Sequence, residues 1–294
     1  MTHATGLKYM KPGVLPHMWC SGCGIGGMLA SLLCAFEELG YENTDTVVVT
    51  GIGCTGKLDD YLATNALHTT HGRALAYATG IKAFKPKLNV VVMMGDGDSV
   101  TIGGNHFIHA ARRNIDVTAI VLNNLNYGMT GGQVSGTTPE WSVTSTTAFG
   151  NPEREFDICA LAETAGANFV ARCSPYEGWE MKEIMKQALT KKGFSLVEVI
   201  SPCPTLYTRR NKLGSGLDFL RSFKERSVIR HGAPLNEVDI DFGGPITVGK
   251  FVDIERPTLR ESIDESMKAA LGDAYTEIHA TQTVLAERRA LRDV

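Results

Sequence analysis

The feature that most constrains the fold is a short apolar run that ends in glycine and aspartate. Val90–Met94 is entirely apolar, and Gly95-Asp96-Gly97-Asp98 follows it directly. A run of this length that stops at a glycine-containing turn is typical of a buried strand in a parallel sheet. A helical segment, Ile102–Arg113, comes next, and a second buried strand, Val117–Leu122, then ends at Asn123-Asn124. The sequence therefore predicts a strand–helix–strand unit with polar side chains at the carboxyl end of both strands.

These polar side chains belong to the edge of the sheet where ligands bind in open α/β folds. Asp96 offers a carboxylate and Asn124 an amide oxygen, both of which are hard ligands suited to Mg²⁺. Gly95 and Gly97 have no Cβ, so their backbone N–H groups can approach phosphate oxygens closely. Gly-Asp-Gly followed by Asn-Asn about a helix and a strand later resembles the thiamine diphosphate motif. The alternative is an ordinary βαβ unit in which Gly-Asp-Gly is only a turn.

Composition limits the class of protein. A chain of 294 residues with 43% hydrophobic content can form one large domain or two small ones. A net charge of −3 argues against nucleic-acid binding, and no run of 18 apolar residues is present to span a membrane. The first residues lack the charged and apolar regions of a signal peptide, so we expect a cytoplasmic protein. Its seven cysteines are then expected to bind metal or pack in the core rather than form disulfides.

The cysteines fall into two groups. Cys34, Cys159 and Cys173 lie in or beside predicted helices and strands, where cysteine acts as a small buried hydrophobe. The other four stand in turns that contain Gly or Pro: Cys20, Cys23, Cys54 and Cys203. Four thiolates suit either Zn²⁺ or a [4Fe–4S] cluster. A structural zinc site usually uses two local pairs, whereas here two ligands share one loop and two come singly from distant strands. That pattern, beside a redox-capable cofactor, favours iron–sulfur.

The rest of the chain alternates helices and strands. We expect helices over 26–39, 74–84, 156–165 and 176–189, and strands over 46–52, 168–171 and 194–200. A polar loop from Met129 to about Asn151 is too long for a plain connection and is typical of a segment that covers an active site. Beyond residue 208 we expect a helix over 217–229, an extended or looped stretch over 231–258 and exposed helices over 262–292. We interpret 209–294 as an arm that packs on a partner subunit.

Several segments together resemble the β subunit of the 2-oxoacid:ferredoxin oxidoreductases, in particular the two-subunit 2-oxoglutarate type. They are Cys20-Ser21-Gly22-Cys23-Gly24, Gly51-Ile52-Gly53-Cys54, His71-Gly72-Arg73-Ala74, Gly95-Asp96-Gly97-Asp98, Ile102-Gly103-Gly104-Asn105-His106, Asn123-Asn124, Tyr127-Gly128-Met129-Thr130-Gly131-Gly132-Gln133 and Ser201-Pro202-Cys203-Pro204. The resemblance covers roughly residues 10–210. Ser21 departs from the family, which commonly has Pro there, but the ligands are the flanking thiolates.

The resemblance implies a fold and a reaction. The fold is the diphosphate-binding domain of thiamine enzymes over 1–208, an α/β domain with a mostly parallel sheet and helices on both faces. The reaction is the reversible, coenzyme A-dependent oxidative decarboxylation of 2-oxoglutarate to succinyl-CoA and CO₂, with electrons passing through a [4Fe–4S] cluster to ferredoxin. Pyruvate, or a broad range of 2-oxoacids, stays open as the substrate. The implied partner is an α subunit that carries the pyrimidine domain and its glutamate, in a dimer of αβ pairs.

The resemblance also implies roles for residues. Asp96, the Asn124 side chain and the Asn126 carbonyl would bind Mg²⁺, and the four turn cysteines would hold the cluster. The residues expected to contact the cofactor are Ile52, Gly53, Cys54, His71, Gly95, Asp96, Gly97, Asp98, Asn124, Asn126, Tyr127, Gly128, Met129 and Thr130. His71 would lie near the diphosphate or the reacting end, unless it only caps a helix. Lys57 would meet the substrate carboxylate, unless it is a solvated lysine.

Two rival classes remain open at this point. One is a non-redox thiamine enzyme with zinc in the cysteine site, which would lack the brown colour of a cluster. The other is a non-catalytic iron–sulfur subunit that would not bind thiamine diphosphate. The exposed pairs Arg112-Arg113 and Arg209-Arg210 could contact phosphate or coenzyme A, or could simply be solvated.

Overall fold

The computed structural model describes residues 6–238, 240 and 244–276, and one sheet runs through them. Its strand order is β2-β1-β3-β4-β6-β5-β8-β7. The strands are β1 Thr46–Thr50, β2 Asn65–His68, β3 Asn89–Gly95, β4 Thr118–Asn123, β5 Phe169–Cys173, β6 Ser195–Ile200, β7 Ser227–Ile229 and β8 Ile246–Asp253. All neighbours pair in parallel except β5 and β8, which are antiparallel. The mostly parallel α/β sheet predicted from the sequence is confirmed.

Helices cover both faces of this sheet. They are α1 Ile25–Leu39, α2 Ala74–Phe84, α3 Gly104–Arg112, α4 Ile158–Ala165, α5 Gly178–Thr190, α6 Tyr207–Arg210, α7 Gly216–Arg226 and α8 Leu259–Leu271. Buried apolar side chains fill one layer between the sheet and α2, α3 and α4, and a second layer between the sheet and α1 and α5. In β3, Val90, Val92 and Met94 enter the first layer, while Val91 and Met93 enter the second. This two-sided burial explains why the strand is apolar at every position.

Strand β2 and a turn of π-helix were among the elements not predicted. The four residues of β2 are all exposed, so the strand has no apolar pattern, and it is held at the sheet edge by parallel pairing with β1. A turn of π-helix, Gly97–Thr101, lies between Asp96 and α3. Such turns are frequent at functional sites. Among the described residues, no helix combines the length and the apolar character needed to cross a bilayer.

The sheet continues beyond the boundary expected at residue 208. The predicted helix over 217–229 divides into α7 and β7, and the stretch expected to be extended or looped contains β8. Phe219 and Phe223 of α7 pack against Ile200, Ile246 and Val248. No residue of α8 is buried. Packing on a partner subunit therefore stays a proposal for α8, and the part of the helical stretch expected over 262–292 that follows residue 276 lies outside the described residues.

A buried ionic network joins the central strands near the end of β4. Arg172 of β5 and Glu198 of β6 stand opposite each other, and both side chains are fully buried. Arg172 Nε donates to Glu198 Oε2 at 2.7 Å, and Nη2 donates to the two Asp157 oxygens at 3.0 and 3.1 Å. Asn123, the last residue of β4, donates to Glu198 Oε1 at 2.8 Å. The network therefore fixes the end of β4 immediately before Asn124.

Replacing Arg172 by Met should lower the free energy of unfolding by about 3–5 kcal/mol, because Glu198 would remain buried without its cationic partner. Urea unfolding followed by circular dichroism measures the change. The control is Arg230→Met, which breaks the exposed Arg230–Glu237 pair and should leave the midpoint unaltered. Equal midpoints for the two variants would contradict a structural role for the network.

Candidate functional site

One pocket at the carboxyl ends of β1, β3 and β4 gathers the residues that the sequence singled out as cofactor contacts. Its lining consists of Ile52, Gly53, Cys54, Thr55, His71, Gly95, Gly97, Asp98, Asn124, Asn126, Tyr127, Gly128, Met129 and Thr130. Thr55 was not predicted. Asp96 was predicted but is not part of the lining, since it is buried between the two glycines. Parallel strands bring these distant segments together, because their carboxyl ends share one edge of the sheet.

The Asp96 carboxylate is held from the long polar loop. Its Oδ2 accepts hydrogen bonds from Ser135 Oγ at 2.5 Å and Thr137 Oγ1 at 2.7 Å. Its Oδ1 accepts the Asn124 backbone N–H, at 3.3 Å. Burial raises the pKa of Asp96, and the two hydroxyl hydrogen bonds oppose that rise. One carboxylate oxygen is thus saturated with donors, and the other is left facing the Asn124 side chain.

Three oxygen atoms meet beside Asp96. The Asn124 amide oxygen is placed 2.9 Å from Asp96 Oδ1 and 2.6 Å from the Asn126 backbone carbonyl. No donor hydrogen lies between these acceptors, so they repel one another. Rotating the amide would remove the repulsion by presenting its NH₂ group. A cation at the same point would remove it equally well with the amide oxygen where it stands.

The donor set fits a hard divalent cation. A carboxylate, an amide oxygen and a backbone carbonyl are ligands that Mg²⁺ takes, with water and phosphate oxygens completing its shell. Within the described ranges, no group of three or more His, Cys, Asp or Glu side chains is arranged to hold a metal ion. The site beside Asp96 is of another kind, because only one of its three donors is a carboxylate.

A second buried carboxylate orients His71. Asp98 Oδ1 lies 2.5 Å from His71 Nδ1 and accepts the Gly72 backbone N–H at 2.6 Å. A Cβ on Gly51 would lie only 1.6 Å from Asp98 Oδ2, so glycine is required there. The His71 ring stands perpendicular to the Tyr127 ring, with centroids 5.8 Å apart. No side chain caps the start of α2, so His71 does not serve as its cap; Asp98 instead fixes its ring at the pocket wall.

The two glycines around Asp96 are needed for different reasons. A Cβ on Gly97 would come within 2.3 Å of the Tyr127 ring, so a side chain there would displace the tyrosine. A Cβ on Gly95 would meet no protein atom within 4 Å. Since Gly95 lines the pocket, its missing side chain leaves space for a ligand rather than for the protein.

The comparisons with known proteins agree with this geometry. Residues 51–199 match the family described as thiamine pyrophosphate enzyme, C-terminal TPP binding domain. The chain is 45% identical to the 2-oxoglutarate synthase subunit KorB of Methanocaldococcus jannaschii, over 87% of this chain and 95% of that one. It is 49% identical to the KorB subunit of Archaeoglobus fulgidus, over 83% and 87%. The chain belongs to the KorB family.

A solved structure shares the fold over nearly the whole length. It is described as 2-oxoglutarate:ferredoxin oxidoreductase from Magnetococcus marinus with 2-oxoglutarate, coenzyme A and succinyl-CoA bound. The TM-score is 0.81 and the sequence identity is 29%, with 97% of each chain covered. The resemblance inferred from the sequence motifs is therefore confirmed at the level of family and fold.

The long loop of this KorB-family chain carries residues that sequence reasoning missed. It was expected to cover the site, but Ser135 and Thr137 were not named as partners of Asp96. Thr138 Oγ1 also donates to the Leu125 carbonyl at 2.7 Å, which anchors the loop beneath the Asn-Asn turn. The only signal in the sequence was the density of Ser and Thr after Gln133.

Lys57 is not brought into the pocket. It lies in a short 3₁₀ helix, Gly56–Asp60, and its Nζ is 2.5 Å from Asp60 Oδ2. That interaction raises the pKa of Lys57. Lys57 does not line the pocket, so its contact with a substrate carboxylate stays a prediction.

The four turn cysteines lie on neighbouring loops beside the pocket. Thr205 Oγ1 is 3.8 Å from Cys20 Sγ and 3.6 Å from Cys203 Sγ. The pKa of Cys23 is raised to about 12, mainly by burial and in part by the proximity of the other three thiols. Burial also raises the pKa of Cys54, again with contributions from Cys203 and Cys20. Of the other group, Cys159 and Cys173 are buried in the core as expected, whereas Cys34 is only partly buried.

Proposed function

We propose that this chain is the β subunit of a cytoplasmic 2-oxoglutarate:ferredoxin oxidoreductase. With an α subunit, in a dimer of αβ pairs, it would convert 2-oxoglutarate and coenzyme A reversibly to succinyl-CoA, CO₂ and two electrons for ferredoxin. The observation that carries the proposal is the meeting of the Asp96, Asn124 and Asn126 oxygens at the carboxyl ends of β3 and β4. The names of the KorB relatives and of the Magnetococcus marinus enzyme support the substrate and the acceptor.

The three oxygens would hold Mg²⁺, and the metal would hold the diphosphate of thiamine diphosphate against the Gly95–Gly97 turn. When bound, the cofactor supplies a nucleophilic carbon for the keto group and an electron sink for decarboxylation. The chain itself would orient the ligands: the hydrogen bonds from Ser135 and Thr137 to Oδ2 would keep Oδ1 of Asp96 directed toward the metal.

His71 and Met129 have separate tasks in this proposal. Asp98 fixes His71 through Nδ1, so Nε2 is the ring nitrogen that could exchange a hydrogen bond or a proton with a bound ligand. Met129, which is 46% exposed, stands at the pocket wall and would limit the size of the 2-oxoacid. A role for Lys57 in substrate binding would require it to leave Asp60.

Turnover of the αβ complex tests the reaction. The complex, co-expressed and assayed without oxygen, should reduce a viologen dye with 2-oxoglutarate and coenzyme A, and much more slowly with pyruvate. Reduction with pyruvate alone would move the substrate assignment. A complex that contains thiamine diphosphate but reduces the dye with neither acid would contradict the proposed reaction.

Gly95→Ala and Gly97→Ala separate cofactor space from protein packing. Gly95→Ala should keep the thermal midpoint of the cofactor-free protein, because the new methyl meets no protein atom. The methyl would instead occupy ligand space in the pocket, so the affinity for thiamine diphosphate with Mg²⁺ should fall at least tenfold. Gly97→Ala should lower the midpoint itself, because its methyl displaces Tyr127. Thermal unfolding and isothermal titration measure the two effects. Unchanged cofactor affinity in Gly95→Ala would show that the diphosphate lies elsewhere.

We also propose that Cys20, Cys23, Cys54 and Cys203 hold a [4Fe–4S] cluster in this subunit. As the structure describes them, the four thiols are not arranged as a metal site, but they are close enough to perturb one another, and two of them share Thr205 as a neighbour. A cluster there would supply one-electron steps between the cofactor and ferredoxin. A zinc site is the competing possibility, and metal content distinguishes them.

Cys203→Ser should abolish the brown absorbance and lower the iron content of anaerobically purified protein. Cys34→Ser is the matched control, because Cys34 lies in α1 and should leave iron and sulfide unchanged. Iron retained in full in Cys203→Ser, or zinc in place of iron in the unmodified protein, would refute the cluster assignment.

A further inference from the structure

A basic hollow lies beside the cysteine loops and outside the cofactor pocket. Ser21 of the first cysteine loop, Thr205, Arg209 and Lys212 contribute to its lining. Arg209 and Lys212 are exposed, and neither forms an ion pair with any residue that the structure describes. The described residues that line the hollow include no carboxylate. No ion pair with a described residue offsets the charge of Arg209 and Lys212.

The hollow is built directly onto the cysteine loops. A Cβ on Gly22 would lie 2.7 Å from the Gly216 backbone, so the first cysteine loop packs tightly against the start of α7. Thr205 reaches both Cys20 and Cys203, and the Thr208 N–H donates to the Cys203 carbonyl at 3.0 Å. The cations thus stand on backbone that is fixed to the cysteines.

The four cysteines differ in how far they are exposed to solvent. Cys20 is exposed, Cys23 and Cys54 are partly buried, and Cys203 is buried. The cysteine site therefore comes closest to solvent at Cys20, next to the hollow. Two large apolar side chains beside the hollow are also exposed, Leu213 at 42% and Leu217 at 53%. Apolar contacts surrounded by charges are common in protein–protein interfaces.

We propose that this hollow docks an acidic one-electron carrier protein, which receives electrons through the Cys20 edge of the cysteine site. The inference rests on the proposed function and adds the docking surface to it. Complementary charge would orient the carrier and speed its association, as expected for a brief encounter. Each 2-oxoacid oxidised releases two electrons, so two carriers dock in succession and each leaves reduced by one electron.

Charge reversal in the αβ complex tests the surface. The variant Arg209→Glu/Lys212→Glu should lower kcat/KM for reduced-carrier formation with an acidic ferredoxin at least tenfold, while viologen reduction stays unchanged. Its rate with ferredoxin should also lose the salt sensitivity of the unmodified complex, because the attraction that salt screens is gone. Lys212 already has a left-handed backbone with φ 56°, so the substitution adds no new backbone strain.

The control is Lys85→Glu/Lys87→Glu, which makes the same change in net charge in the exposed turn between α2 and β3. It should leave both assays unaltered.

Ferredoxin kinetics that match the unmodified complex in the Arg209/Lys212 variant would overturn the proposal. A raised KM for coenzyme A in the viologen assay would also overturn it, by assigning the cations to the coenzyme. If the double variant does not assemble, Arg209→Gln alone should give a smaller loss confined to ferredoxin. Failure of the unmodified complex to reduce viologen would count against the function instead.

Discussion

The proposed site depends on the close approach of oxygen acceptors at the carboxyl ends of β3 and β4. The Asn124 amide oxygen lies 2.9 Å from Asp96 Oδ1 and 2.6 Å from the Asn126 carbonyl, with no hydrogen between them. The hydroxyls of Ser135 and Thr137, from the long polar loop, donate to Oδ2 of Asp96 and leave Oδ1 facing the Asn124 amide. We propose that a hard divalent cation binds between these oxygens, which would account for the spacing of Gly-Asp-Gly and Asn-Asn in the chain.

The surrounding fold keeps these oxygens in place. β3 is buried on both faces, so its end cannot shift without disturbing two apolar layers. The end of β4 is held by the Asn123–Glu198 hydrogen bond, and Glu198 is held in turn by Arg172. Buried ionic networks add little net stability, but they penalise any arrangement that leaves one member unpaired. Here that penalty acts on the strand end that presents Asn124.

The parts predictable from sequence were those encoded locally. The apolar run of β3, its glycine turn and the Asn pair each carry their own signal, and parallel topology brings them together.

β2 was missed because its exposed residues have no apolar pattern and only its pairing with β1 defines it. Ser135 and Thr137 were missed because nothing in a polar loop specifies which hydroxyl reaches a carboxylate about 40 residues earlier. β8 was only loosely expected, since an antiparallel partner with a bulge leaves a weak pattern. Lys57 was expected to be available for a substrate carboxylate, but in the structure it forms an ion pair with its neighbour Asp60.

The most direct test of the account is to locate the cation. Crystals of the αβ complex grown with thiamine diphosphate and Mn²⁺ in place of Mg²⁺ would give an anomalous scattering peak at the metal. One peak is expected about 2.0–2.2 Å from Asp96 Oδ1, the Asn124 amide oxygen and the Asn126 carbonyl. No peak between these atoms, with the Asn124 NH₂ group donating to Asp96 instead, would contradict it.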